Sequence, residues 1–292
     1  MSYSAEISRK QPALLVLLLD QSTSMGDPWA GTGASKAQAL AEAVNTTLSN
    51  AIGLCGNGTA RIRDYFEICV LGYGVDVSLQ LPGSAPGRPT VPISEVARNH
   101  RRSETRTKRT MDHSGQPIDT KVPFTVWIDP VAGGMTPMTA ALRSAEQIVR
   151  SWCGEHPSSF PPLVVNITDG ESTDGDPTAA AEAVAALGTA DGDSLIFNVH
   201  LSGTEQRSFS YPSTRDDLPD HNATMLFGMS SQLPPSLFEA ARSQGKSLQP
   251  GARGFLYNAD ARSVFEFLDL GTRAVTPAGL KELTSGVLAI EP

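Results

Sequence analysis

The chain has 292 residues, 40% of them hydrophobic, enough to bury a full core; it suits one domain over residues 1–292, or a domain with a sizeable insertion. A formal net charge of −8 and a pI near 5.1 argue against a nucleic-acid protein as a whole, though not against a local basic patch. Three scattered cysteines, Cys55, Cys69 and Cys153, with no CxxC spacing, argue against a disulfide framework or a thiolate zinc site and read as reduced core residues.

Chain order starts with a polar segment, "MSYSAEISRKQP", that no small-residue cleavage site follows, and an apolar run, Ala13 to Leu19, too short to span a bilayer. A soluble, cytoplasmic protein is the expectation. The run "ALLVLLLD" predicts a central strand buried on both faces and ending in Asp20. The following stretch, "SKAQALAEAVNTTLSNAIGL", places Ala37, Leu40, Ala41, Val44, Leu48 and Ile52 near helical spacing, with Ser35 as its cap. "FEICVLGYG" and "VDVSLQL" predict a hairpin through Gly74 that adds an antiparallel edge strand.

Further along, "MTPMTAALRSAEQIVRSWC" predicts a helix, "PPLVVNITDG" a buried strand ending in a second aspartate, Asp169, "DPTAAAEAVAAL" a helix with Pro177 near its first turn, and "SLIFNVHLS" a strand. "NATMLFGMSSQLPPSLFEAARSQG" reads as one or two helices broken by Pro234 and Pro235, and the polar stretch around "FSYPSTRDDLPD" as a surface loop. "RGFLYN" suits a last strand, "DARSVFEFLDLGTRAV" a last helix, and residues 277–292 a tail able to dock. This alternation predicts an α/β fold: a doubly wound, mostly parallel sheet with an antiparallel edge strand and helices on both faces, with ligands bound where the winding reverses at the carboxyl ends of strands.

Asp20, Ser22 and Ser24 lie at i, i+2 and i+4, so in an extended turn leaving the strand their side chains can converge on one point. Carboxylates and hydroxyls suit a hard cation such as Mg²⁺, whereas soft metals ask for cysteines or clustered histidines. Here the residues resemble the von Willebrand factor type A (VWA) family. "DQSTS" matches the family's DxSxS signature, "GGMTPMTAAL" looks like its threonine loop and "ITDGES" its strand-terminal aspartate, in the same order across roughly residues 13–275. The resemblance implies a metal-ion-dependent adhesion site. Ser22, Ser24 and Thr136 would bind the cation through hydroxyls, and Asp20 and Asp169 would hold coordinated waters or bind directly. Thr136 is taken over Thr139 because it follows "GGM"; Thr23 stands where many members carry glycine, which puts the tightness of the turn in question.

Such a site leaves the metal, Mg²⁺ with Mn²⁺ or Ca²⁺ as substitutes, electrophilic toward one more anionic oxygen, which an Asp or Glu of another protein can supply. Stand-alone bacterial members resemble adaptors that work with MoxR-type AAA+ ATPases or with protein kinase and PP2C-type phosphatase partners. The chain is thus expected to be a non-enzymatic protein-binding module. A haloacid-dehalogenase-like phosphatase wants a carboxylate where Ser22 stands, and no GxSxG elbow or Walker-type loop occurs. The five histidines are dispersed, and His200 reads as a packed strand residue.

Residues 82–133 form a basic insertion, 8 basic against 5 acidic residues, so +3 in a chain whose remainder carries −11. Ending at the threonine loop, it is expected beside the metal edge, with Arg98, Arg101, Arg102, Arg106, Lys108 and Arg109 favouring an acidic partner. The alternatives are a solvated arm or a hairpin with charged faces, or an RNA-binding element, disfavoured by the lack of stacking aromatics between Arg98 and Thr110. A metal-dependent hydrolase using the same carboxylates is the other competing function.

Overall fold

The computed structural model describes residues 3–29, 33–56, 61–111, 116–201, 208–243, 245–259, 263–264 and 266–268. At the centre lies β1 (Ala13–Asp20), every residue of it buried, as its unbroken aliphatic sequence requires of a strand covered on both faces. It pairs in parallel with β2 (Phe66–Tyr73) on one side and β7 (Leu163–Thr168) on the other. β10 (Leu195–Leu201) and β12 (Phe255–Ala259) extend the parallel array beyond β7. The hairpin through Gly74 is present: β3 (Val77–Leu79) runs antiparallel to β2. The sheet is therefore mostly parallel, α/β and antiparallel at its edge, as the alternating pattern predicts.

Two further short edge strands carry no apolar run and escape sequence analysis. β4 (Val91–Pro92), inside the insertion, pairs antiparallel with β2, and β11 (Phe209–Ser210), expected as loop, pairs antiparallel with β12. A two-residue hairpin, β8 (Gly188–Thr189) with β9 (Gly192–Asp193), stands apart from the sheet.

Alternation along β1 sorts the core. Leu15, Leu17 and Leu19 join Leu40, Val44 and Leu48 of α1 (Lys36–Gly56) in one apolar cluster, while Leu14, Val16 and Leu18 join Met138, Leu142 and Val149 of α3 (Met138–Glu155) in the other. α4 (Thr178–Ala185) and α5 (His221–Met229) cover the α3 side, and α6 (Pro235–Ser243) the α1 side. Ser35 caps α1 through a reciprocal box: its hydroxyl accepts from the Gln38 amide (3.2 Å) while Gln38 Oε1 accepts from the Ser35 amide (3.0 Å). Pro235 opens α6 at the position where a missing N–H costs nothing. Cys55, Cys69 and Cys153 are free and buried, and burial pushes the thiols of Cys55 and Cys69 up to about 12.

The insertion holds α2 (Ile93–Arg98) and a β-hairpin of ten-residue strands, β5 (Arg102–Met111) and β6 (Pro117–Val126), paired as a separate two-stranded sheet. Buried Asn45 of α1 clamps its base: Oδ1 accepts from the amides of Trp127 (2.9 Å) and Ile128 (3.0 Å), and Nδ2 donates to the Ile128 carbonyl (2.9 Å). Residues 263, 264 and 266–268 of the expected last helix are helical; the expected tail, 277–292, lies outside the described residues.

Candidate metal centre

The chain passes from β1 to β2 on one side and later returns to place β7 on the other, so the winding reverses between β1 and β7, where Asp20 and Asp169 both emerge. Both oxygens of Asp20 accept a hydrogen bond. Its Oδ1 accepts from the Ser22 amide (2.8 Å), and its Oδ2 from the hydroxyl of Thr168 (2.6 Å), 148 residues away at the end of β7. Burial pushes the Asp20 carboxyl above the usual carboxylate range, its hydrogen bonds with Ser22 and Thr168 oppose that rise, and the charge of Asp169 adds to it.

The spacing of Asp20, Ser22 and Ser24 does bring the side chains together. Ser22 Oγ lies 3.1 Å from Ser24 Oγ, and Ser24 Oγ donates to Asp169 Oδ1 at 2.8 Å. A 3₁₀ turn over Thr23–Gly26 carries Ser24, and Ser22 stands just before it at the N-cap position. Thr23 does not loosen it: its amide (3.2 Å) and hydroxyl (3.0 Å) both donate to the Gly134 carbonyl, fastening the turn to the threonine loop. The Gly133 amide donates to the Gln21 carbonyl (2.7 Å) beside it. Gly134 has a φ of +88°, and a Cβ there would fall 2.5 Å from the Val75 backbone nitrogen, so only glycine lets these loops meet.

Thr136 is buried and joined to the Asp169 loop by its backbone: its amide donates to Thr173 Oγ1 and its carbonyl accepts from the Thr173 amide, both at 2.9 Å. Among the described residues its hydroxyl has no hydrogen-bond partner. Thr139, by contrast, is engaged at the start of α3. Its hydroxyl lies 3.3 Å from Ser172 Oγ, and its amide and that of Ala140 donate to Asp174; burial pushes that carboxyl up, but the Ser172 hydroxyl (2.8 Å) and then these amides hold it below the usual range.

Lys36 is the residue that sequence reasoning passed over. Its Nζ lies 2.7 Å from Asp169 Oδ2 and 3.3 Å from the Ser24 carbonyl, with the two side chains only 8% and 1% exposed. A signal existed in "GASKAQ": a lysine as first residue of a helix opposes the helix dipole and needs a compensating anion.

The basic residues divide between two places. Arg101 donates to the carbonyls of Trp127 (2.7 Å) and Gln80 (2.9 Å), Arg102 pairs with Glu104 and Asp129, and Arg106 pairs with Glu104 and with Glu42 of α1 while covering the Phe124 ring (3.4 Å). Lys108 and Arg109 sit in β5 opposite Thr120 and Asp119; their side chains lie outside the described residues. Arg98 lies away from that hairpin, lining a cleft of about 590 Å³ with Arg9, Arg61 and Arg63. His200 is a buried β10 residue stacked on Tyr257 (4.6 Å), and burial holds its imidazole below its ordinary pKa.

The side chains joined between β1 and β7 offer oxygens, the hydroxyls of Ser22 and Ser24 and the carboxylates of Asp20 and Asp169, with Thr136 tethered through its backbone to the loop that follows Asp169; such a set fits a hard divalent cation. Among the described residues no three His, Cys, Asp or Glu side chains gather as a metal-binding group, so any cation here would depend on the hydroxyls.

No family model and no curated protein matches the chain. Distant likenesses exist among solved structures. Proximal thread matrix protein 1 from the mussel byssus, with a zinc occupied MIDAS motif, is 13% identical, with a TM-score of 0.48 over 93% of this chain and 49% of its own. The manganese-loaded TRAP protein of Plasmodium vivax is 13% identical, with a TM-score of 0.37 over 89% of this chain and 72% of its own. The chain thus spans about half the length of the mussel protein.

Proposed function

We propose that the chain is a VWA-type binding module with no enzymatic activity of its own, which captures a partner protein through a divalent cation, Mg²⁺ in the first instance. The observation that carries this reading is the link from Ser22 through Ser24 to Asp169, which joins hydroxyls and carboxylate from two neighbouring strand ends at 3.1 and 2.8 Å. Ser22, Ser24 and Thr136 supply neutral oxygens, and the negative charge of Asp20 and Asp169 is partly spent on other donors. A bound cation would supply electrophilicity toward one further anionic oxygen. This chain's residues do the rest: Thr168 and the Ser22 amide orient Asp20, Thr23 fixes the serine turn, and Thr173 fixes Thr136.

The partner would offer an Asp or Glu carboxylate, and an AAA+ ATPase or a kinase and phosphatase pair is the class we infer from the family resemblance. Calorimetric titration of Mg²⁺ and Mn²⁺ tests the reading. Wild type should bind, and the Ser22→Ala/Ser24→Ala double variant should lose at least about tenfold in affinity, since removing even a group that only supports a ligand costs about that much. Equal heats from both proteins would sink it.

A further inference from the structure

Lys36 is a buried cation placed inside a prospective cation site, and that placement calls for a reason. Its ammonium lies against Asp169 Oδ2 (2.7 Å), while Asp169 Oδ1 takes the Ser24 hydroxyl (2.8 Å), so one carboxylate is shared between an internal lysine and the serine turn. Asp27 stands 4.0 Å from the same ammonium but is largely exposed and screened, which leaves Asp169 as the main counter-charge. The position also opposes the positive end of α1, of which Lys36 is the first residue. A lysine that only needed solvation would reach water; this one is held 8% exposed at the mouth of the site.

The charge balance gives the consequence. Asp20 and Asp169 together carry two negative charges, so a divalent ion held by them alone would make a neutral centre. With the Lys36 ammonium included, the loaded centre carries one net positive charge, and one carboxylate from outside returns it to neutrality in a buried setting where unbalanced charge is costly. We propose that Lys36 is a specificity-determining residue: a fixed internal cation that weakens divalent-ion binding and makes the loaded centre select an anionic ligand. This rests on the metal-binding reading above. Lys36 would touch neither ion nor ligand and would act through Asp169 and through its charge.

The test uses the full chain in wild-type, Lys36→Met, Lys36→Gln and Lys36→Arg forms, with the Ser22→Ala/Ser24→Ala variant as control. Mn²⁺ affinity is read from the electron paramagnetic resonance signal of free ion, and folding from thermal melts. Both neutral variants should bind Mn²⁺ about tenfold or more tightly than wild type, since one like charge has been removed from a partly buried site, and Lys36→Arg should stay near wild type. Acetate is then titrated into the Mn²⁺-loaded proteins while water-proton relaxation is followed. The neutral variants should need several times more acetate to displace bound water.

A purely architectural lysine gives the opposite sign: losing it would let Asp169 drift, and the ion would bind more weakly. Unchanged or weaker Mn²⁺ binding in the folded neutral variant therefore overturns the inference, and two neutral substitutions guard against one failing to fold. Absence of Mn²⁺ binding in every form overturns the metal reading itself and the inference with it. Binding by the neutral variants but not by wild type would also overturn the inference together with the metal reading, because a centre that never loads selects no ligand.

Discussion

Asp20 and His200 show at the scale of single residues how burial sets chemistry at this edge of the sheet. Asp20 was readable from the sequence because an aliphatic strand that ends in a carboxylate leaves that group at the strand's carboxyl end. Lys36 was not, because its partner Asp169 lies 133 residues away and only the folded sheet brings them together. His200 yields a prediction in pH. Its folded pKa is depressed by burial, so the unfolded chain takes up its proton first, and the stability the neutral imidazole contributes is present above the ordinary value of 6.5 and lost as pH falls below it. Each pKa unit of depression is worth about 1.4 kcal/mol. Urea denaturation should show wild type losing more stability between pH 7.5 and 5.5 than His200→Leu; parallel losses would show that His200 contributes nothing.

Among elements, α1 joins two parts of the molecule. Its first residue holds Asp169, and its middle, through Asn45, holds the base of the insertion. Replacing Asn45 by Ala would leave the buried amides of Trp127 and Ile128 without an acceptor, at a cost of about 2–4 kcal/mol for the two together. The loss should appear in chemical denaturation, and hydrogen exchange should quicken at residues 126–128 before it does in β1. The threonine loop depends likewise on Gly134, where a side chain would meet backbone at 2.5 Å in a left-handed conformation. Gly134→Ala should destabilise by about 1–3 kcal/mol, the range for strained backbone; a melt equal to wild type would show that the loop yields.

The long strands and helices were legible because their apolar residues recur with the right period, and the hairpin because Gly74 punctuates it. Two-residue strands such as β4 and β11 have no period to show; they exist because an edge of the sheet offers them backbone partners. The basic insertion was legible as composition but not as pairing. Arg102 and Arg106 find Glu104, Asp129 and Glu42, so the charge of these two, available in the sequence, is balanced in the fold. These are exposed pairs, each worth little alone.

Taken as a whole molecule, the protein is an open α/β sheet covered on both faces, with a hairpin appendage that, among the described residues, makes no ladder with that sheet. Replacing residues 103–125 by a short glycine-rich turn should therefore leave the melting temperature within a few degrees of wild type and cation affinity unchanged. A collapse of the fold would show that the appendage stabilises the body. Among the described residues no helix is long and apolar enough to cross a membrane.

The position of β1 between β2 and β7 has one more consequence. Everything proposed to grip the ion draws on both ends of a span running from Asp20 to Asp169, closed by the Thr168–Asp20 and Ser24–Asp169 bonds. A nascent chain that has not yet released Asp169 from the ribosome lacks the β7 neighbour of β1, and by the proposed reading would not bind the ion. On the proposed reading, capture of a partner would therefore arise late and all at once in biosynthesis, and a truncated copy would not compete for that partner.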